Sequence, residues 1–341
     1  MNTKNKLRSS VEELCHHIGK DHLIVQGAGG NVSWKQEGRL AIKASGKWLS
    51  KAKEEDIFVF VDLDSLKRDI KKKQFDTNPE LSIQSRLRPS IETTMHALMP
   101  HKIVLHVHAV EPLAYLVRED CEEELRSSLD PNLEWIIVDY VKPGALLASA
   151  INDALLRKPD ANIIFLRNHG IVVGAETSQE ILSLIEAINK SLSEKQLPVK
   201  TSHSGSLNNS LKGYQLIQDS CIQNLALSSH LYSRLNEYWV LYPDHAVFLG
   251  PHPFTFESIN NFLIKSKEYI DMPELIFIKD VGVFSLISFD RAKIEQLRCY
   301  SEVLMRQKES SRIRSLDKVE IAELLNWDAE KYRIDISNNN N

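Results

Sequence analysis

Ile163-Ile164-Phe165-Leu166-Arg167-Asn168-His169-Gly170-Ile171-Val172-Val173-Gly174 is the stretch whose reading decides the fold. Two apolar runs, each too short for a helix and rich in β-branched residues, flank a turn built on Asn168-His169-Gly170. They read as a strand pair. Thr177-Ser178-Gln179-Glu180 follows directly and carries the pattern that starts and caps a helix, here expected over residues 179–192.

Towards the N-terminus the same grammar recurs. Residues 9–19 have helical spacing and lead into a Gly-rich turn, Gly27-Ala28-Gly29-Gly30-Asn31, and a short strand at 32–34. Strands are expected at 40–44, 57–63, 103–108 and 135–138, and helices at 91–99, 111–117 and 146–156. The alternation indicates an α/β or α+β fold, a sheet flanked by helices.

Towards the C-terminus, a polar stretch containing Pro198 and Gly205 interrupts the apolar patterning. It divides the chain into a first domain at 1–195, a linker at 196–213 and a second, smaller α/β domain at 214–335. Within the second, strands are expected at 246–249, 275–278 and 283–287, with a helix at 291–307. Leu275-Ile276-Phe277-Ile278-Lys279-Asp280-Val281-Gly282 parallels residues 163–170 position by position, with Val281 where the first has His169. The match reads either as a degenerate internal repeat or as shared strand-turn-strand-helix grammar.

A length of 341 residues with 43% hydrophobic content suffices for two ordinary domains. Lys and Arg number 42 against 46 Asp and Glu, a balance that gives a nucleic acid or an anionic membrane no basic surface to bind. Cys15, Cys121, Cys221 and Cys299 show no CxxC spacing and fit reduced cysteines. The charged start of the chain lacks an export signal, and no apolar run approaches the roughly 18 residues of a membrane span. The protein is expected to be cytoplasmic.

The chemistry gathers around Val104-Leu105-His106-Val107-His108-Ala109. Side chains on a strand alternate faces, so His106 and His108 point the same way and can grip one ion. Imidazole suits zinc and other divalent transition metals, and a catalytic site takes three protein ligands with a position left open. His169 is the best third ligand, because its turn would present an exposed donor at a sheet edge or loop. Among the 12 histidines, His96 reads as a packed helix residue, and His245 and His252 lack a third donor at suitable spacing.

Glu92, in Pro89-Ser90-Ile91-Glu92, would sit in a helix first turn, where an isolated glutamate merely complements the dipole. Next to a Lewis-acid metal, the same carboxylate suits proton transfer at the carbon beside a carbonyl.

Taken in order, these motifs resemble the class II aldolase/adducin family over most of residues 7–195. Gly30-Asn31-Val32-Ser33 is similar to the family's Gly-Asn-x-Ser loop, Ala44-Ser45-Gly46 to its phosphate turn and Pro89-Ser90-Ile91-Glu92 to its Pro-Ser-x-Glu element. His106-x-His108 and Asn168-His169-Gly170 resemble its metal ligands. The resemblance implies a class II aldolase-like central sheet, Glu92 as acid/base, Asn31 beside the substrate oxygens, and Ser45, Gly46 and Ser90 around a phosphate. It also implies a homotetramer and one divalent metal, most simply Zn2+, with a sugar or sugar phosphate as substrate. Ile91 departs from the pattern, standing where the family's phosphate aldolases have a second serine.

Ala44-Ser45-Gly46-Lys47-Trp48-Leu49, Tyr140-Val141-Lys142-Pro143-Gly144 and Pro243-Asp244-His245-Ala246-Val247-Phe248 bring the resemblance closest to the aldolase half of bifunctional rhamnulose-phosphate aldolase/short-chain dehydrogenase proteins. Too few residues follow for a dehydrogenase half, and no GxGxxG follows a strand, so no nicotinamide cofactor is expected.

The expected reaction is cleavage of a ketose 1-phosphate to dihydroxyacetone phosphate and a short aldehyde, with Tyr115 or Tyr140 as a second acid. A 4-epimerase is the first competitor, although such enzymes resemble Asp rather than Glu at position 92. A dehydratase or an aldolase acting on an unphosphorylated hydroxy acid is favoured by Ile91. An adducin-like interaction module would have lost the histidines.

Overall fold

A computed structural model describes residues 3–194, 196–198 and 211–328, with the side chains of residues 3–5 left aside. Most of the expected linker, 199–210, and the end of the expected second domain, beyond 328, lie outside the described residues.

Strands β1 (Asn31–Gln36), β2 (Arg39–Lys43), β3 (Phe58–Asp62), β4 (Ile103–Val107), β5 (Trp135–Val138), β6 (Ile163–Leu166) and β7 (Gly170–Ala175) form one seven-stranded sheet. Their order is β3-β2-β1-β4-β7-β6-β5. Every pairing is antiparallel except β5 with β6. Helices cover both faces, which explains why the central strands are continuous apolar runs rather than alternating ones. Ile163, Phe165, Ile171 and Val173 pack towards helices Thr3–Ile18 and Ser178–Ser191. Ile164, Leu166, Val104 and Val172 pack on the other face with helices Thr93–Leu98 and Ala145–Arg157. The architecture is the expected α/β sheet flanked by helices.

A second, smaller sheet contains β8 (Tyr214–Leu216), β9 (Thr255–Phe256), β10 (Leu275–Ile278) and β11 (Gly282–Leu286), in the order β8-β11-β10-β9. Only β9 and β10 run parallel. Expected strand 246–249 is instead helical, within Pro243–Leu249. The apolar run misled: Pro243 sits in the first turn and Gly250 caps the end at φ 83°, both helix-boundary signals, and burial leaves the short helix apolar nearly all round. The helix expected from residue 91 begins at Thr93, with Glu92 as its N-cap.

The hairpins β6–β7 and β10–β11 share a register. Leu166 pairs with Gly170 and Ile163 with Val173, as Ile278 pairs with Gly282 and Leu275 with Ser285. Asn168 and Asp280 are both left-handed, at φ 51° and 58°. Their backbone N–H groups each donate 3.0 Å to the last turn of a preceding helix, Asn168 to Leu116 and Asp280 to Ala226.

The two sheet regions are packed together. Val110, Leu113 and Val117 share an apolar cluster with Tyr242, Tyr300 and Leu304. Buried Arg306 ion-pairs with Glu111 at 2.8 Å. Asn168 Nδ2 donates to the carbonyls of Leu241 (2.9 Å) and Arg314 (2.8 Å), and its Oδ1 accepts from Arg314 Nη1 at 3.1 Å. Asn168 therefore pins the hairpin that carries His169. Asn168→Ala should cost about 2–4 kcal/mol, through two carbonyls left without a donor and an alanine forced left-handed. Denaturant unfolding measures it, and a loss below about 0.5 kcal/mol would show that the pin is dispensable.

Candidate functional site

His106 stands on β4 with its neighbours fixed by register: Asn31 of β1 lies opposite it on one side and Val172 of β7 on the other. Its Nδ1 is 2.9 Å from the Ile171 carbonyl, an acceptor, so Nδ1 carries the proton and Nε2 keeps its lone pair. That Nε2 is 3.2 Å from His108 Nε2 and 3.5 Å from Glu92 Oε2. His169 Nε2 lies 3.4 Å from Glu92 Oε1. The coordinating atoms of His106, His108 and His169 all fall within 4.8 Å of one another.

Two glycines make this convergence possible. A Cβ on Gly30, whose φ is 64°, would stand 2.8 Å from the His106 carbonyl. One on Gly170 would stand 2.5 Å from the Val107 carbonyl and 3.0 Å from the His108 ring. Neither approach tolerates a side chain.

Glu92 is held from behind. Asn31 Nδ2 donates to Glu92 Oε2 at 2.8 Å and to Ser90 Oγ at 3.2 Å. Asn31 Oδ1 accepts from His96 Nε2, and His96 Nδ1 accepts from the Ser33 hydroxyl at 2.8 Å. This chain of hydrogen bonds runs through buried groups and fixes the carboxylate as part of the site. As N-cap of its helix, Glu92 makes no side-chain capping bond, so the dipole role open to an isolated glutamate is not the one it plays.

The second wall comes from two segments tied together. Ser45 N–H donates 2.9 Å to the Arg88 carbonyl, and Ala44 forms a bridge with Pro89. Gly46 at φ 76° turns the chain. Asn31, Ser45, Gly46, Ser90, Glu92, His108 and His169 consequently line one narrow cavity of about 40 Å³. It adjoins a hollow of about 710 Å³ that shares Ser45, Ser90 and Ile91 and includes Arg86, Arg88 and Trp327.

Several features depart from the sequence expectations. His169 is buried, on a turn between β7 and β6 inside the sheet, because Leu241 and Arg314 cover the turn. Neither Tyr115 nor Tyr140 lines the cavity. Three contributing residues escaped the sequence reading. His96 is the buried link between Ser33 and Asn31. Lys43 lines the cavity, its ammonium donating to the carbonyls of Ala28 (2.8 Å) and Lys47 (2.6 Å). Asp244, from the C-terminal region, reaches His108 Nδ1 at 3.2 Å. A usable signal existed for one of them: Asn31 and Ser33 share a strand face, and a buried partner had to bridge them.

The donor set fits a divalent cation. Glu92 Oε1 is buried without a hydrogen-bond partner, 3.4 Å from His169 Nε2, and the His106 and His108 Nε2 atoms converge in the same space. Burial holds His106 below its usual range and His169 at about 3, so both rings are neutral imidazoles, the form that binds metal. Burial alone would raise Glu92, but its attraction for any proton taken up by His106 or His169, together with the Asn31 hydrogen bond, outweighs that and holds it below the usual carboxylate range, an anion beside neutral rings.

Residues 9–194 match the Class II Aldolase and Adducin N-terminal domain family, and the chain belongs to that family. Over 213 residues the chain is 28% identical to the uncharacterized oxidoreductase YuxG of Bacillus subtilis (strain 168). That match takes 56% of this chain and 30% of YuxG, so the chain spans less than a third of its curated relative. The N-terminal class II aldolase domain of a conserved Thermoplasma acidophilum protein is 24% identical, at a TM-score of 0.46, over 53% of this chain and 90% of that one. A sugar-phosphate aldolase from Thermotoga maritima is 15% identical at a TM-score of 0.45, over 56% and 94%. No helix among the described residues is long and apolar enough to cross a membrane.

His96 makes stability depend on pH. Burial, with His106 nearby, lowers it from 6.5 to about 3. The folded value lies below the unfolded one, so the unfolded chain takes up the proton first and stability is lost as pH falls from about 6.5 towards 3. Between pH 6.5 and 5 this ring alone should remove about 2 kcal/mol from metal-free protein. Denaturant unfolding at pH 7 and pH 5 tests it, and equal stabilities would contradict the buried neutral ring.

Proposed function

We propose that the protein is a metal-dependent aldolase that cleaves a ketose 1-phosphate to dihydroxyacetone phosphate and a short aldehyde. His106, His108 and His169 would hold one divalent ion, for which Zn2+ suits the imidazole set. When bound, the ion supplies Lewis-acid polarisation of the substrate carbonyl. The observation that carries the reading is the placement of Glu92, whose two oxygens face the Nε2 atoms of His106 and His169 while Asn31 anchors one of them. A carboxylate so held is placed to move the proton on the carbon beside the carbonyl, adding it in cleavage and removing it in synthesis.

Asn31 and Ser90 bring polar groups to the same wall, and the turn there can offer the Ser45 hydroxyl and the Gly46 backbone N–H to a phosphate, the Ser45 N–H being spent on Arg88. Lys43 adds a buried ammonium beside them, which suits an anionic substrate. The narrow cavity suits the reacting atoms, and the adjoining hollow has room for the remaining chain. Ile91 lines both spaces where a hydroxyl was expected, and it favours a second reading, an unphosphorylated hydroxy acid as substrate. A cytoplasmic homo-oligomer is part of the same proposal.

The C-terminal region enters this reading as a degenerate copy of the unit formed by β4 to β7. The order β8-β11-β10-β9 parallels β4-β7-β6-β5, and only the last pair is parallel in each. Leu216 pairs with Phe284, two residues past Gly282, as His106 pairs with Val172, two past Gly170. Leu216, Gln218 and Val281 thus replace His106, His108 and His169, and this second unit would hold no metal.

Two measurements test the function. Metal analysis should find about one divalent ion per chain, lost from the His106→Ala, His108→Ala double variant; a folded wild type that takes up no ion would sink the reading. Glu92→Gln should retain the metal and lower kcat for aldehyde release about 10²–10⁴-fold, across a panel of ketose phosphates and hydroxy acids. Isomerised product without bond cleavage would identify an epimerase instead.

A further inference from the structure

Asp244 lies outside the residues that match the family, yet its carboxylate reaches the histidine cluster. Helix Pro243–Leu249 begins beside the cavity, and Pro243 and Asp244 both line it. Asp244 is 1% exposed, and Gln296 Nε2 donates to its Oδ2 at 3.2 Å. The same oxygen is 3.2 Å from His108 Nδ1, an ion-pair distance, and that buried nitrogen has no hydrogen-bond partner. Gly29 passes tightly over the pair: a Cβ there would lie 3.2 Å from Asp244 Oδ2 and 3.6 Å from His108 Nδ1.

A buried carboxylate needs a donor or a cation. Gln296 supplies one hydrogen bond to this oxygen, and the ring edge of His108 faces it at 3.2 Å. His108 Nε2 faces the opposite way, 3.2 Å from His106 Nε2. A proton on Nδ1 leaves the Nε2 lone pair free for a metal, and a carboxylate at Nδ1 favours that tautomer, orients the ring and makes Nε2 more basic.

We propose that Asp244 is the positioning residue of His108, a carboxylate delivered by the C-terminal region to orient a metal ligand of the N-terminal sheet. The inference rests on the metal reading of the three histidines. It gives the C-terminal region a part in a site whose ligands all lie within residues 9–194.

The test is Co2+ binding to metal-free protein, by competition with a chromophoric chelator and by the visible spectrum of the bound ion. Asp244→Asn should bind Co2+ about 10–100-fold more weakly than wild type and change the spectrum. Gln296→Leu, which keeps the carboxylate but releases its anchor, should show a smaller loss in the same direction. Denaturant unfolding of the metal-free variants shows whether each is folded, and Gln296→Leu decides if Asp244→Asn does not fold. Wild-type affinity and spectrum in a folded Asp244→Asn, or in Gln296→Leu where only that variant folds, would overturn the proposal while leaving the metal site standing. A wild type that binds no Co2+ removes the metal reading and this proposal with it.

Discussion

Everything in the site follows from one electrostatic constraint: atoms that carry lone pairs are crowded into a buried space with few protons to separate them. His106 spends its proton on the Ile171 carbonyl, and its Nε2 then faces His108 Nε2 at 3.2 Å and a glutamate oxygen at 3.5 Å. With the His108 proton on Nδ1, beside Asp244, the two Nε2 lone pairs oppose each other in a low dielectric and repel, and the backbone holds the rings in place. The register of β4 between β1 and β7 sets the ring positions, and Gly30 and Gly170 remove the side chains that would hold the strands apart. Bringing a cation into the centre turns each of those repulsions into an attraction.

The parts of this geometry legible in the sequence were the local ones. Alternation along a strand places His106 and His108 together, and the turn at Asn168-His169-Gly170 could be read as a turn. Its burial could not, because the cover comes from Leu241 and Arg314, far along the chain. His96 looked like a packed helix residue and is packed; its role lies in what it touches, Ser33 and Asn31 on a strand 60 or so residues earlier. Asp244 was quoted only within a run of residues resembling other proteins, since no spacing rule links it to His108. The strand expected at 246–249 failed for a related reason. A short run of buried apolar residues looks the same in a strand and in an enclosed helix, and Pro243 and Gly250 were the signals that distinguish them.

The two sheet regions are asymmetric in a way their shared register makes plain. The hairpins β6–β7 and β10–β11 pair alike and turn through a left-handed residue at the same place, so the backbone could present a side chain at Val281 as it does at His169. Val281 and Leu216 carry no donor, and the second region instead spends its polar groups on the first: Arg306 on Glu111, Arg314 on Asn168, Asp244 towards His108. These contacts act on the elements that carry the three histidines. Asn168 adjoins His169 in sequence, and Glu111 opens the helix that follows His108. The C-terminal region is thus coupled to the site through backbone neighbours of two of the three histidines, and rigidity there converts directly into fixed ligand geometry.

Rigidity at one end and space at the other divide the labour of recognition. The narrow cavity of about 40 Å³ has room for a few water-sized groups, so it discriminates among reacting atoms and little else. On the proposed reading, selection of the substrate's remainder would fall to the adjoining hollow, which Ile91, Ser90, Ser45, Arg86 and Arg88 help to line. A single methyl-bearing side chain at the junction therefore has leverage on specificity that none of the histidines has. Ile91 removes a hydrogen-bond donor at the point where an anion would pass from one space to the other, while Lys43 keeps a positive charge behind it. Charge without a matching set of donors attracts anions broadly but orients them poorly, since a point cation fixes distance and leaves angle free. On the same proposed reading, the pair Ile91 and Lys43 would set the breadth of substrates accepted, and Glu92 the reaction performed on them.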